Sequence, residues 1–237
     1  MRRIRTLVVM LFAAMSLLCG CTHHEPQYGS ELQLSMPGLR RQVWAVAPAI
    51  DLSGENVDPL LQADLVFDQL QQVHGMTVIP VNRVIEVFMS LRIAQVQSPE
   101  QAAVVCELLG CDALVVPTVT LYDPYNPPKF GGALQLFEKP IGYARPAASV
   151  EMQDPVTQEP ATQVAPVLPL TGNFKQVVGM FDAANGSTRE DLWLYAEGRN
   201  DPQGPMGPKE YVESMDRYCG FAYHQLIRDL LHRVGNR

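Results

Sequence analysis

Short apolar runs recur along the middle of the chain and are separated by segments with a longer apolar period. The runs at 42–50, 76–81 and 112–122 are rich in Val, Ala, Ile and Leu, a composition that favours strands. Between them, apolar residues return every three or four positions, which is the period of an amphipathic helix. Because the strand runs are apolar on both faces, we expect them inside a sheet that helices cover.

Residues at the boundaries of these segments support the same division. Asp58 and Ser98 are each followed by a proline, which puts a capping side chain before a proline at the first helical position. Gly110 follows the third helical segment and predicts its end. The predicted order of elements is therefore β-α-β-α-α-β.

The second half of the chain is less regular. Prolines are dense between about 123 and 170 and aromatic residues are few there, so we expect an insertion without a packed core of its own. Two strand-like runs over 174–198 flank Asn185 and Gly186, a pair typical of tight turns, and predict a β-hairpin. A final helix is predicted over about 209–234.

These elements together predict an α/β fold. A β-α-β-α-α-β core is followed by a β-hairpin and a C-terminal helix, and helices cover a mixed sheet. We assign residues 42–237 to a single domain that carries the Pro-rich insertion at about 123–170.

The first twenty residues differ in composition from the rest. Three arginines at positions 2, 3 and 5 precede an apolar run from Leu7 to Leu18, and Gly20-Cys21 follows. A basic start, an apolar centre and a small residue at the end are typical of a secretory signal peptide. The apolar run is shorter than the roughly 20 residues that a transmembrane helix needs.

The stretch Leu18-Cys19-Gly20-Cys21 resembles the bacterial lipobox. This resemblance implies that residues 1–20 are removed and that Cys21 is the lipid attachment site, with a diacylglyceryl group on its thiol and an acylated amino terminus. Two or more acyl chains, at about 0.8 kcal/mol per buried methylene, anchor a protein stably without spanning the membrane. The polar segment 21–41 is then a flexible tether. The alternatives are an ordinary cleaved signal and a metal-binding or redox Cys-x-Cys pair.

The net charge limits the partners that the chain can bind. The formal charge is −7 and becomes −10 when the three arginines of residues 1–20 are removed. An acidic chain disfavours nucleic acid and anionic headgroups as electrostatic partners. We therefore expect membrane contact through the lipid at Cys21 and binding to another envelope protein, and a homo-oligomer is also open.

Two cysteines lie at the end of the third predicted helix. If Gly110 is the left-handed residue after that helix, Cys106 and Cys111 are the two positions of a Schellman motif whose side chains commonly touch. Export places them in an oxidising compartment, so the pattern fits either an apolar contact or a disulfide between Cys106 and Cys111. Cys219 falls on the apolar stripe of the last helix and is predicted to be a core residue.

No catalytic, cofactor-binding or metal-ligating residues can be assigned from the sequence. It contains neither G-x-G-x-x-G nor G-x-x-x-x-G-K-[ST], and neither G-x-S-x-G nor H-E-x-x-H. His224 and His232 are eight apart on the last helix without a third ligand, so they do not indicate a zinc site. We therefore predict a protein that is not an enzyme and needs no cofactor.

One aromatic loop favours a binding role. Tyr122, Tyr125 and Phe130 lie among prolines, and tyrosines on a stiff loop form a contact surface that loses little entropy on binding. The alternative is a packed connector that covers the edge of the sheet. We take these three residues as the candidate partner-contact loop.

The order of motifs over 42–122 resembles a known fold group of bacterial envelope lipoproteins. The stretches VWAVAPAIDLSGE, MTVIPVNRV and SPEQAAVVCELLGCDALVVPTVTLYDP follow one another, and MFDAANGS comes later. The group includes the curli-secretion channel protein, the amino-terminal domain of the translocation protein TolB and the penicillin-binding-protein activator LpoB. The resemblance implies an α/β periplasmic lipoprotein fold and identifies no catalytic residue.

The resemblance also bears on the role. In the secretion channel each subunit adds long amphipathic hairpins to a membrane barrel, whereas segment 123–170 here is rich in proline, which disfavours barrel strands. We therefore predict a non-catalytic binding, scaffold or assembly lipoprotein that faces the periplasm, with the outer membrane favoured over the inner. A subunit of an oligomeric outer-membrane export channel is the alternative, and an envelope hydrolase is the second.

Overall fold

The computed structural model describes residues 33–38, 41–139, 174–199 and 205–236. Its strands are β1 Gln42–Val46, β2 Ile50–Asp51, β3 Met76–Ile79, β4 Ala113–Asp123, β5 Lys129–Glu138 and β6 Phe174–Asp182. Its helices are α1 Pro59–Gln71, α2 Val81–Leu91, α3 Pro99–Leu109, α4 Gly186–Glu197, α5 Glu210–Glu213 and α6 Met215–Gly235, and a 3-10 turn at Gly207–Lys209 precedes α5. The predicted signal peptide 1–20, the lipid attachment site Cys21 and most of the tether lie outside the described residues.

The strands form one mixed sheet. Its order is β3-β1-β4-β5-β6, and the short β2 pairs beside β4. β1 runs parallel to β3 and to β4, and β2 also runs parallel to β4. The pairs β4–β5 and β5–β6 are antiparallel. This mixed α/β sheet confirms the predicted fold class.

Helices cover both faces of this sheet. On one face the core joins α1, α4 and α6 to strands β1, β4 and β5. On the other face α2 and α3 pack on β1 and β4 through a smaller core. The first seven residues of β4 are buried because helices lie on both sides of them. The described part of the chain therefore has three layers.

The predicted helix ends are confirmed. The Asp58 carboxylate accepts a hydrogen bond from the Leu60 amide at 2.8 Å and caps α1. The Ser98 hydroxyl accepts one from the Gln101 amide at 3.3 Å and caps α3. Gly110 ends α3 with a φ of +69°, a left-handed conformation that glycine adopts at little cost.

The predicted hairpin over 174–198 was wrong in its second half. Residues 174–182 form strand β6, but helix α4 follows instead of another strand. Asn185 is the residue before the helix, and its side-chain oxygen accepts a hydrogen bond from the Ser187 amide at 3.0 Å. Leu192 and Tyr195 then fall on one helical face and are buried in the core. Burial of that face therefore decides the conformation after Asn185.

The C-terminal helix is also interrupted where one continuous helix was predicted. Ser214 separates α5 from α6 with extended backbone angles, φ −108° and ψ 114°. The long helix α6 begins at Met215 and lies between α1 and strands β5 and β6. As predicted, Cys219 is buried in the core.

Part of the predicted Pro-rich insertion is ordered. Strand β5, at Lys129–Glu138, lies within the range 123–170 and pairs with β4 on one side and β6 on the other. The stretch GGALQLFE is mostly apolar, which explains why this part joins the sheet. The rest of the insertion lies within residues 140–173, which are outside the described residues.

Candidate functional site

Among the described strands, β6 is the last in the order of the sheet, and it presents apolar side chains to solvent. Its residues Phe174, Val178 and Met180 are 47%, 66% and 75% exposed. They alternate along the strand, so they lie on the same face of the sheet. Val177, between them, points to the opposite face and is only 2% exposed. A terminal strand with an exposed apolar face is a ready template for another strand.

The neighbouring strand leaves this face uncovered. Gly131 and Ala133 of β5 pair directly with Met180 and Val178. Because cross-strand partners are the side chains nearest to each other on one face, these small residues cannot shield the larger ones on β6. At the start of β6, in contrast, the Phe174 ring contacts the Phe137 ring of β5, with 5.2 Å between the ring centres.

The opposite face holds β6 firmly in place. A Cβ added at Gly179 would lie 2.8 Å from the Phe181 ring and 3.0 Å from Leu226 Cδ2, so α6 approaches this strand closely because the residue is glycine. The rings of Phe181 and Phe221 are in edge-to-face contact at 5.8 Å. The exposed face is thus part of a well-packed strand.

Helix α6 also contacts the outer backbone edge of β6, the one that faces away from β5. Arg233 Nη1 donates a hydrogen bond to the carbonyl of Gln176 at 2.7 Å. In an antiparallel strand, successive residues direct their backbone groups alternately toward and away from the partner strand. Because Gln176 directs its carbonyl outward, the same alternation directs the backbone groups of Val178 and Met180 outward as well. The residues with exposed side chains therefore also carry the outward backbone groups.

The loop between β4 and β5 lies beside the end of β6. The Ala183 amide donates to the Pro128 carbonyl at 3.0 Å, which joins the loop to the residue after β6. On its other side, Asn126 Nδ2 donates to Glu213 Oε1 at 3.0 Å. These bonds fix the loop between the sheet edge and helix α5.

The structure separates the three residues of the predicted contact loop. Tyr125 is 81% exposed and available to a partner. Tyr122 is half-buried, and burial, with smaller contributions from Cys219 and Asp216, raises the pKa of its hydroxyl to about 12. Phe130 is fully buried with its ring 5.2 Å from that of Tyr223, so its assignment as a contact residue was wrong. The prediction failed at Phe130 because this residue belongs to strand β5 and points into the core.

Cys106 and Cys111 meet as the helix-end motif predicts. The Cys111 amide donates to the Cys106 carbonyl at 3.0 Å, and the Gly110 amide donates to the Glu107 carbonyl at 3.3 Å. Both cysteines are buried as free thiols, and their hydrogen bond, together with burial, raises the pKa of Cys106 above its ordinary range. The side chains are adjacent, and the disulfide between them stays a prediction.

Sequence reasoning missed the exposed residues of β6. Phe174, Val178 and Met180 lie in a run that is apolar on both faces, which predicts burial on both faces. Their exposure depends on β6 being terminal and on where α2 and α3 end, and strand order is a property of the whole sheet. The one available sign was the pair of glycines in β5, because glycine in a strand weakens its packing.

The described residues show neither a metal-binding cluster nor a membrane-spanning helix. They contain no group of three or more His, Cys, Asp and Glu side chains placed to hold a metal ion. Within the same ranges, no helix has the length and apolar character needed to cross a membrane.

The described residues form a mixed α/β sheet covered by helices, and the similarity to known proteins is to solved structures of low sequence identity. The chain matches no protein-family model and no curated protein. Among solved structures it is similar to the C-terminal domain of LpoB from Salmonella enterica, with 12% identity, a TM-score of 0.36, and coverage of 48% of this chain and 82% of that one. LpoB belongs to the fold group that the sequence resembles.

Two other solved structures are similar at the same level. Lipoprotein GNA1162 from Neisseria meningitidis is 18% identical, with a TM-score of 0.34 and coverage of 41% of this chain and 69% of that one. A PelC dodecamer from Paraburkholderia phytofirmans is 12% identical, with a TM-score of 0.28 and coverage of 44% and 66%. Similarity this low does not extend to activity, partner or location.

Proposed function

We propose that the chain is a lipid-anchored envelope protein that works without catalysis, by binding another protein at the β6 edge. The exposed apolar face formed by Phe174, Val178 and Met180 on a terminal strand is the observation that supports this role. Monomeric proteins usually protect such an edge with charges, prolines or bulges. β6 carries one lysine, Lys175, and its ammonium group already pairs with Glu138 at 2.9 Å.

The expected occupant is an extended strand of the partner. Its backbone would pair with the outward groups of Val178 and Met180, beyond the Gln176 carbonyl that Arg233 occupies, and its apolar side chains would cover those two residues. This mode requires backbone complementarity along the strand and only a few side-chain pockets. Tyr125, on the loop beside the end of β6, would add contact area at the edge of the interface.

Anchoring supports the same role. The lipobox-like stretch ending at Cys21 would hold the protein at the periplasmic face of a membrane, with the outer membrane favoured. A membrane-bound protein meets its partners at a raised local concentration, so an edge of modest affinity is sufficient.

A matched pair of substitutions tests the binding surface. In Met180→Glu a charge replaces a side chain that is 75% exposed on β6, and in Met89→Glu the same change is made at one that is 73% exposed on α2. The full chain, extracted in detergent, is used to capture partners after crosslinking from a photoreactive residue at position 178. We expect Met180→Glu to lose the crosslinked species and Met89→Glu to retain it, with unchanged thermal unfolding in both.

Each outcome of this experiment is informative. A crosslink that maps to an extended segment of another protein supports the proposed partner. A crosslink between two differently tagged copies of this chain would replace that partner with a second copy. Equal crosslinking by wild type, Met180→Glu and Met89→Glu would exclude the β6 edge as the binding surface.

A further inference from the structure

A second surface feature lies on the helices and shares no residue with the β6 edge. It is a groove of about 620 Å³ between α1, α4, α5 and α6. The volume is within the roughly 300–1,000 Å³ that is usual for small-molecule sites. The buried residues Gln69, Tyr195, Tyr211 and Gly220 form its floor. Charged side chains at its rim are Asp68, Arg199, Asp216 and Arg217.

The Arg199 guanidinium is held in place by its neighbours. It lies 4.1 Å above the centre of the Tyr195 ring, and its Nη2 donates to Gln72 Oε1 at 2.9 Å. Nη2 is also 3.4 Å from His224 Nδ1. The pKa of His224 is lowered to about 3, chiefly by burial, so the ring is neutral and its nitrogen can accept. A guanidinium fixed in this way is prepared for a carboxylate, because little side-chain entropy remains to be lost.

The charges at the rim do not neutralise one another. The ion pairs of the described residues do not include Arg199, Asp68 or Asp216. Arg217 differs, because its Nε pairs with Glu210 at 2.8 Å. Asp68 is exposed, and partial desolvation together with neighbouring Asp64 raises its pKa, as expected for a carboxylate without a compensating cation. Among these residues, the groove therefore presents one cation and two carboxylates that form no ion pair.

The floor contains a glycine that the helix does not require. Gly220 lies inside the 21-residue helix α6, where alanine stabilises a helix relative to glycine. A Cβ there would lie 3.6 Å from both Gln69 Nε2 and the Tyr195 hydroxyl, which is ordinary contact. Neither a clash nor an unusual backbone angle explains the glycine. Its missing Cβ does leave open space at the bottom of the groove, next to Gln69 Nε2 and the Tyr195 hydroxyl.

We infer that this groove binds a small zwitterion of dipeptide size. The carboxylate of the ligand would lie on the Arg199 guanidinium, and its ammonium group would face Asp68 and Asp216. The backbone amide of such a ligand would reach the floor of the groove. There the side-chain oxygen of Gln69 already accepts a hydrogen bond from the Tyr195 hydroxyl at 3.0 Å. The side-chain nitrogen of Gln69 faces the space above Gly220. This site is independent of the β6 edge and of the proposed partner.

Saturation-transfer NMR on the full chain in detergent tests the site with alanylalanine as the probe. Arg199→Gln should weaken binding by about tenfold or more, since it removes a charge-assisted contact. Arg189→Gln, the same substitution at an exposed residue of α4, should bind like wild type. Gly220→Ala should weaken binding while the thermal unfolding midpoint is unchanged or raised, a combination that a purely structural role for Gly220 would not produce.

Two analogues decide the class of ligand. N-acetyl-alanylalanine lacks the ammonium group and alanylalanine amide lacks the carboxylate, so both should bind much more weakly than the dipeptide. Binding of the acetylated analogue at the strength of the dipeptide would overturn the zwitterion assignment. No saturation transfer to alanylalanine, or equal transfer in wild type and Arg199→Gln, would overturn the site itself.

Discussion

At the scale of single residues, buried polar side chains join the helices of the larger core layer. The Tyr223 hydroxyl donates to Gln62 at 2.9 Å, and the Tyr195 hydroxyl donates to Gln69 at 3.0 Å. Both glutamines lie on α1, seven residues apart and therefore on the same face. The period of apolar residues in α1 did not predict this face, because glutamine is counted as polar. Such bonds matter for specificity, since a buried polar group left unpaired costs about 1–3 kcal/mol.

His224 gives a prediction at this scale. Burial, then Arg199 and Arg228, lowers its pKa to about 3, below the 6.5 expected in the unfolded chain. The neutral ring therefore stabilises the fold fully above pH 6.5, and this stability is lost progressively as the pH falls toward about 3. In urea unfolding, wild type should lose about 2 kcal/mol more than His224→Asn between about pH 7.5 and pH 5, because one unit of pKa shift corresponds to about 1.4 kcal/mol.

A matched control uses the other histidine of α6. His232 is exposed, so His232→Asn should follow the wild-type pH profile. All three proteins contain the same carboxylates, so the contribution of these groups to the pH dependence cancels in the comparison. Parallel profiles for wild type and His224→Asn would show that His224 is not held neutral by the fold.

At the scale of elements, the sequence predicts correctly those features that depend on residues close together in the chain. The caps Asp58 and Ser98 and the helix end at Gly110 depend on contacts within about four positions, and all three were predicted correctly. The pair Asn185-Gly186 fits a hairpin turn as well as a helix start. Packing of α4 in the core decides between them, and that contact involves residues far away in the chain.

The prediction at this scale concerns the two cysteines at the end of α3. Cys106 and Cys111 are in contact, so we predict that export leaves them joined by a disulfide and leaves Cys219 as a free thiol. Thiol counting on the processed chain, denatured without reductant, should then find one free thiol. Cys106→Ser should raise the count to two, because it releases Cys111, whereas Cys219→Ser should lower it to zero. Three free thiols in wild type, falling to two in Cys106→Ser, would exclude the bridge.

At the scale of the whole molecule, strand order could not be predicted. The order β-α-β-α-α-β along the chain was correct apart from the short β2, because apolar periods report each element separately. The position of β6 at the end of the sheet depends on the pairing of β5 with both β4 and β6. The candidate site at the β6 edge was missed for this reason, and of the predicted contact loop only Tyr125 is fully available.

Location is also a property of the whole molecule, and it depends on a residue outside the described ranges. If Cys21 carries the lipid, a radiolabelled fatty acid should label wild type and leave Cys21→Ser unlabelled. Cys19→Ser is the matched control, because residue 19 would be removed with the signal peptide, and this variant should still be labelled. A labelled Cys21→Ser protein would contradict the lipid anchor, and the binding role at β6 would then have to operate without membrane attachment.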